Sequence, residues 1–263
     1  MFEIHFFLFN LIISYDIDTI LYVYNFLKKI MKVVILAGGL GTRLAEYTNT
    51  IPKPMVKIGG EPILSHIIRI FKSYNYNDFI IAAGYKKEII IDYYKDSEEF
   101  KNLKIIDTGE KTMTGGRILR LKSLINHNEN FFMTYGDGLC NVNLDELVKF
   151  HLNHNKIATV TAVHPPVRFG ELEIDKKKVI KFEEKSQAKA GWINGGFFIL
   201  NTKVFNYIKD DNILFEREPL EKLVGEENLM AFKHEGFWKC MDNLRDKIEL
   251  DQMFKSKQLL WKK

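Results

Sequence analysis

The chain has 263 residues, a formal net charge of +4, 46% hydrophobic residues and two cysteines. That length supports a large core in one domain, or one domain with a small appendage. The charge is too mild for a nucleic-acid partner, and no arginine-rich run or zinc-ligand spacing is present. Cys140 and Cys240 stand far apart without a CxxC, which fits a reducing cytoplasm and excludes a disulfide framework.

Residues 1–30 are aromatic and apolar but are interrupted by Asp16 and Asp18. Each half is shorter than the roughly 18–20 residues of a membrane span, and no signal-peptide pattern is present. The segment reads as a leader ahead of a true start at Met31 or, if translated, as a peripheral helix; no membrane partner is expected. From Met31 strands and helices alternate. The periodicity predicts a strand over Val33–Ala37, a helix over Pro62–Tyr74, a strand over Phe79–Ala83, a helix over Glu88–Tyr94 and a strand over Leu103–Ile106. A glycine loop at Thr114–Arg117 precedes another helix. A strand over Phe131–Tyr135, a helix over Leu144–His154 and a strand over Ile157–Val163 follow. Phe169–Ile174 and Val179–Glu183 flank Asp175–Lys178 as a hairpin. A strand over Phe197–Leu200, a helix over Glu216–Val224, a strand over Leu229–Phe232 and a helix over Leu244–Leu260 complete the chain. Alternation of this kind predicts an α/β domain with a mostly parallel sheet and helices on both faces. The nucleotide-binding half falls at about 31–165. A β-rich insertion at about 166–263 forms the other half and covers the first.

Ligands of such sheets bind beyond the carboxyl ends of the strands. Gly38, Gly39 and Gly41 follow the first strand at once, and glycines there let backbone N–H groups approach phosphates. Gly84 and the Gly136-Asp137-Gly138 turn end two further strands. Gly39-Leu40-Gly41-Thr42-Arg43-Leu44 lacks the third glycine of a dinucleotide fingerprint, and no Walker A lysine follows. Ordinary NAD and ATPase sites are thereby excluded. By residue type alone, Arg43 and Lys53 could be surface cations and Asp137 a turn residue.

The stretch GGLGTRL followed by PKPM resembles the signature of nucleoside-diphosphate-sugar pyrophosphorylases. The likeness runs over nearly all of residues 31–261. DTG with MTGGR, TYGDG, RFGELEI, INGGFF, FEREPL and GFWKCMDNLRDK resemble the glucose-1-phosphate cytidylyltransferase branch of that superfamily. The resemblance implies a Rossmann-like nucleotide-diphospho-sugar transferase fold and transfer of CMP from CTP to glucose 1-phosphate. It also implies Mg2+ held by Asp137 and Asp242, a homo-oligomer, and a place in cell-surface polysaccharide synthesis in the cytoplasm. Arg43 is implied to hold the β- and γ-phosphates and Lys53 to neutralise the α-phosphate. Leu36, Gly38, Gly39, Gly41, Thr42, Tyr85, Gly109, Arg117 and Gly136 fall where the nucleotide binds. Tyr85 there lines the base pocket, and a flexible loop carrying Arg117 closes over cytosine. Glu171, Glu184, Lys185, Asn194 and Gly195, with Arg168, fall where the acceptor binds.

Two departures stand out. About a dozen residues, Lys95–Ile106, fill a space that is longer in the family, and Ser186 follows Lys185 where the family has proline. Another base or sugar phosphate stays open as an alternative. A catalytically silent nucleotide-binding subunit is a further alternative, against which stands the presence of Arg43, Lys53, Asp137 and Asp242 together. The transfer requires no histidine, and His66, His151 and His154 are expected to be structural or surface residues.

Overall fold

The β-branched run after Met31 forms the central strand β1 (Lys32–Ala37), which is buried on both faces. The computed structural model describes residues 31–127, 129–165, 171–183 and 191–261. The expectations for residues 1–30, Arg168, Glu184 and Lys185 lie outside them. No helix among the described residues is long and apolar enough to cross a membrane.

Further strands are β4 (Asp78–Ala83), β5 (Leu103–Asp107), β6 (Asn130–Tyr135), β8 (Ala158–Val163), β11 (Ile193–Asn201) and β12 (Leu229–His234). With β1 they make a seven-stranded sheet of order β12-β8-β11-β6-β1-β4-β5. All neighbouring pairs are parallel except those of β11, which is antiparallel to both β6 and β8. The expected mostly parallel sheet is therefore present as a mixed sheet with one reversed strand. β2 (Lys57–Ile58) pairs with β3 (Glu61–Pro62) beside the sheet, and β7 (Gly138–Cys140) pairs with β13 (Trp238–Cys240). The expected hairpin is β9 (Glu171–Asp175) against β10 (Lys178–Glu183).

Alternation along β1 sends Val33, Ile35 and Ala37 to one face and Val34 and Leu36 to the other. The first face packs against α2 (Ile63–Lys72) and α5 (Leu144–His154). The second packs against α4 (Thr114–Arg120) and α6 (Glu218–Gly225). Helices thus cover both faces. The chain runs from β1 outward to β4 and β5 and then returns to β6 on the other flank of β1. This reversal opens a crevice at the carboxyl ends of β1 and β6.

Three expectations change. The Thr114–Arg117 stretch is the start of α4 and not a loop. Its glycines allow the backbone to press on residues 211–213: the Gly115 N–H donates to the Ile213 carbonyl at 2.9 Å, and a Cβ on Gly116 would sit 2.5 Å from Asp211 Cα. The helix expected to reach Leu260 is α7 (Leu244–Lys255); Lys257 turns left-handed with φ 58° and ends it. The boundary near position 165 does not separate two layers, because β11 and β12 extend the sheet of the first half. The three histidines are structural: His66 Nε2 meets the Ile58 carbonyl at 2.9 Å, and His151 and His154 share the Thr159 hydroxyl.

Candidate active site

The glycine loop leaves β1 at the crevice. The Gly38 carbonyl accepts from the Arg117 guanidinium at 2.8 Å and from the Tyr85 N–H at 3.2 Å. A Cβ on Gly38 would lie 2.1 Å from Arg117 Nη1, so this position has no room for a side chain. Gly41 takes φ 64°, and its carbonyl accepts from the Leu44 N–H and the Thr48 hydroxyl. The loop is therefore fixed from below while Gly39 and Thr42 face solvent. Across the crevice the Gly136 N–H donates to the Leu36 carbonyl at 3.0 Å and ties β6 to β1.

Asp137 occupies the turn between β6 and β7. Asp242 arrives from the far end of the sequence through β13, which pairs with β7, and the Met241 N–H donates to the Asp137 carbonyl at 2.8 Å. Asn243 then caps α7: its side chain accepts from the Asp246 N–H, and Asp246 accepts from the Asn243 and Asp242 N–H groups. Reciprocal capping of this kind holds the helix entry rigid, and with it Asp242. Lys53 Nζ stands 2.7 Å from Asp137 Oδ2 and 3.2 Å from Asp242 Oδ1, and Arg43 pairs with Asp242 Oδ2. The Lys53 side chain is 12% exposed and that of Arg43 is 76% exposed, so the lysine is fixed in the floor while the arginine reaches Asp242 from the open rim.

Burial lowers the Lys53 pKa, but Asp137, with smaller help from Asp242, outweighs it and holds the ammonium above the ordinary lysine range. Burial raises Asp242, and Lys53 and Arg43 outweigh it, leaving that carboxylate below its usual range. Asp137, Cys240 and Asp242 bring ligand atoms within 4.8 Å of one another. The Cys240 thiol is pushed far up by burial and then by Asp137, so it stays protonated. The donor set offered is two carboxylates in an anion-tolerant pocket, which fits a hard, oxygen-seeking cation such as magnesium.

These groups line a cleft of about 660 Å³. Of the residues singled out in the sequence, Leu36, Gly38, Gly39, Gly41, Thr42, Arg43, Lys53, Arg117, Gly136, Asp137, Asn194, Gly195 and Asp242 all reach its wall. Tyr85 and Gly109 do not. The Tyr85 hydroxyl donates to the Thr48 carbonyl at 3.0 Å, beneath the loop. Gly109 offers its carbonyl to Arg117 at 2.6 Å. Arg117 is 3% exposed and bonds the carbonyls of Gly38, Gly109 and Glu110. It is a buried strut of α4 under the glycine loop, and it does not lie on the flexible loop expected from the sequence. Glu171 opens β9. The sequence reading missed Trp238, whose indole N–H donates to the Gly195 carbonyl at 2.7 Å, and the cleft residues Tyr135 and Thr114. An aromatic three residues before the MDN stretch was the available signal for Trp238.

A doubly wound sheet with a glycine loop, two cations and two carboxylates at its switch point defines a protein that handles nucleoside phosphates. A family model described as nucleotidyl transferase matches residues 32–252, and the chain belongs to that family. Within it, the chain falls with the glucose-1-phosphate cytidylyltransferases: it is 42% identical over 254 residues to the one from Salmonella typhi, spanning 88% of this chain and 99% of that protein. It is also 31% identical over 227 residues to mannose-1-phosphate guanylyltransferase 1 of Arabidopsis thaliana, covering 83% of this chain and 63% of that protein. The solved structure of HddC from Yersinia pseudotuberculosis complexed with GMP-PN is similar at a TM-score of 0.69 and 29% identity, covering 86% of this chain and all of that one.

Proposed function

We propose that the chain transfers CMP from CTP to α-D-glucose 1-phosphate, giving CDP-glucose and pyrophosphate for cell-surface polysaccharide synthesis, as a magnesium-dependent homo-oligomer in the cytoplasm. The observation that carries this reading is Lys53 Nζ held between Asp137 and Asp242 beneath the glycine loop. The attacking group is a phosphate oxygen that is already anionic, so no general base is required. The protein's part is positioning and charge placement. In keeping with this, no histidine lines the cleft among the described residues.

Asp137 and Asp242 would hold Mg2+, which when bound supplies positive charge to the phosphate oxygens. The backbone N–H groups from Gly38 to Thr42 and the exposed Arg43 take the β- and γ-phosphates. Lys53 is positioned for the α-phosphate, where negative charge builds as pyrophosphate leaves. Asn194 and Gly195 take the sugar, with Glu171, Glu184 and Lys185 supplied by the acceptor half. Arg117 and Gly109 act through the loop they support.

Relatives that use a different base, such as the Arabidopsis guanylyltransferase, motivate a second reading in which another triphosphate is the donor. Pyrophosphate release measured over a matrix of triphosphates and sugar 1-phosphates decides between them. CTP with glucose 1-phosphate is the expected best pair. Strong turnover with UTP, dTTP or GTP and none with CTP would overturn the cytidylyl assignment, and no turnover with any pair would point to a non-catalytic subunit.

A further inference from the structure

A second cavity, of about 630 Å³, lies toward the carboxyl end of α4, away from the cleft. Thr114 and Arg117 of that helix line the cleft, whereas Leu119 and Arg120 line the second cavity. Its other walls come from the 3-10 turn Lys122–Leu124 and from the 3-10 helix Thr202–Tyr207 that follows β11. The floor is apolar, formed by Leu119, Ile125 and Phe205. It is held in place by the rest of the fold: Phe205 stacks on Phe131 with ring centroids 6.0 Å apart, and the Thr202 N–H donates to the Glu129 carbonyl at 3.0 Å. Lys122 and Lys203 enter the wall from two different elements, and no carboxylate lines it among the described residues. Arg120 is there too, but its Nε and Nη2 are both taken by the Asp211 carboxylate, so its charge is already answered. Among the described residues neither Lys122 nor Lys203 has a carboxylate partner, unlike Lys53, Lys87, Lys209 and Lys247. The Thr202 hydroxyl and the Asn206 amide, also in the wall, have no hydrogen-bond partner among those residues either.

Two lysines that share a recess without an acid repel one another and focus a positive field into it. A phosphate group relieves that condition, and lysine binds phosphate as a point charge. The volume is that of a small-molecule pocket and far exceeds a bare phosphate, so the anion must carry an organic body that covers the apolar floor. Thr202 and Asn206 offer donors and acceptors to that body. A nucleic-acid strand needs a track of cations along its backbone, and two free lysines around one recess do not make a track. We propose that this cavity is a second ligand site, separate from the catalytic cleft, for a phosphorylated small molecule. Lys122 and Lys203 take the phosphate, Leu119, Ile125 and Phe205 carry the organic body, and Thr202 and Asn206 bond its polar edge.

The site does not depend on which group the cleft transfers, and it is read at its own lysines. Acetylation of exposed lysines on the full chain, located by mass spectrometry, is followed with and without CMP or glucose 1-phosphate at constant ionic strength. Lys122 and Lys203 are expected to lose about tenfold in labelling rate once the probe stands at about ten times its Kd. The exposed Lys104 on β5 should be unchanged. Protection by CMP alone makes the ligand a nucleotide, and protection by glucose 1-phosphate alone makes it a sugar phosphate. Because both lysines serve one phosphate, the protection of Lys122 should vanish in Lys203→Glu and persist in Lys203→Arg. Position 203 is exposed, so both variants keep the fold. No protection by either probe, equal protection by inorganic phosphate, or protection of Lys122 that survives Lys203→Glu would each overturn the proposal. So would lysines already unreactive in the free protein, as in an interface between copies. Protection by a single-stranded oligonucleotide and by neither small probe would give the surface to nucleic acid instead.

Discussion

Lys53 and Arg43 illustrate how burial assigns different jobs to two cations of one motif. Lys53 is nearly enclosed and shared by two carboxylates, while Arg43 reaches from an open loop to one of them. A cation fixed in advance costs little reorganisation when charge develops nearby, which is the condition for strong electrostatic stabilisation. Asp137→Ala and Asp242→Ala should therefore each lower turnover by at least about two orders of magnitude. Neither should unfold the protein, because Lys53 keeps its other carboxylate and is not left as an unpaired buried charge. Pyrophosphate release together with a thermal melt checks both halves of this expectation; near-normal turnover in magnesium would overturn the proposal that these residues hold the metal. The four residues were recognisable as types in the sequence, but their meeting was not. Asp242 reaches Asp137 through two three-residue strands about a hundred positions apart, and strands that short leave no periodic trace.

At the scale of elements, α4 shows where pattern reading fails. Two glycines in its first turn look like a loop, since glycine costs a helix about 1 kcal/mol relative to alanine. Here the missing side chains are what let the helix lie against the backbone of residues 211–213. Gly116→Ala is accordingly expected to destabilise the fold by about 1–3 kcal/mol through overpacking, despite the better helix propensity of alanine. Urea denaturation measures it, and a stabilised variant would show that the contact yields. The long amphipathic helices and the buried β1, by contrast, were legible because their apolar residues repeat over many positions. A second element-scale consequence concerns α5. Burial, with a smaller contribution from His154, pushes the His151 imidazole down to about 3. The unfolded chain takes up a proton near pH 6.5 that the folded chain refuses until about pH 3, so the unfolded state binds more protons within that window. Stability attributable to this group is complete above pH 6.5 and declines as pH falls, by up to about 1.4 kcal/mol per pH unit. His151→Gln should flatten the decline in unfolding free energy between pH 6.5 and 4; an unchanged slope would assign the acid sensitivity to other groups.

For the molecule as a whole, the reversed strand β11 is decisive. Sequence composition changes near position 165 and suggests two halves, yet β11 lies between β6 and β8, pairing with β6 over Phe197–Asn201 and with β8 on both sides of a bulge. The hydrophobic cluster on one face joins Val34, Ile80 and Met133 of the first half to Phe198, Phe215 and Leu223 of the second. Removing either half would leave unpaired strand edges and an uncovered apolar face, each of them unfavourable in water. The cleft's lining is distributed in the same way, with Lys53 and Asp137 from one half and Asp242 and Asn194 from the other, so the cleft exists only while both are folded together. The chain should unfold in a single transition despite a length at which intermediates are common. Its three tryptophans, Trp192, Trp238 and Trp261, all lie beyond position 165, so indole fluorescence reports on the second half while far-UV circular dichroism reports on the entire sheet. The two signals are expected to coincide across a urea titration. A fluorescence midpoint clearly below the dichroism midpoint would mean that the second half detaches first, and that the shared strand couples the halves less strongly than its hydrogen bonding implies.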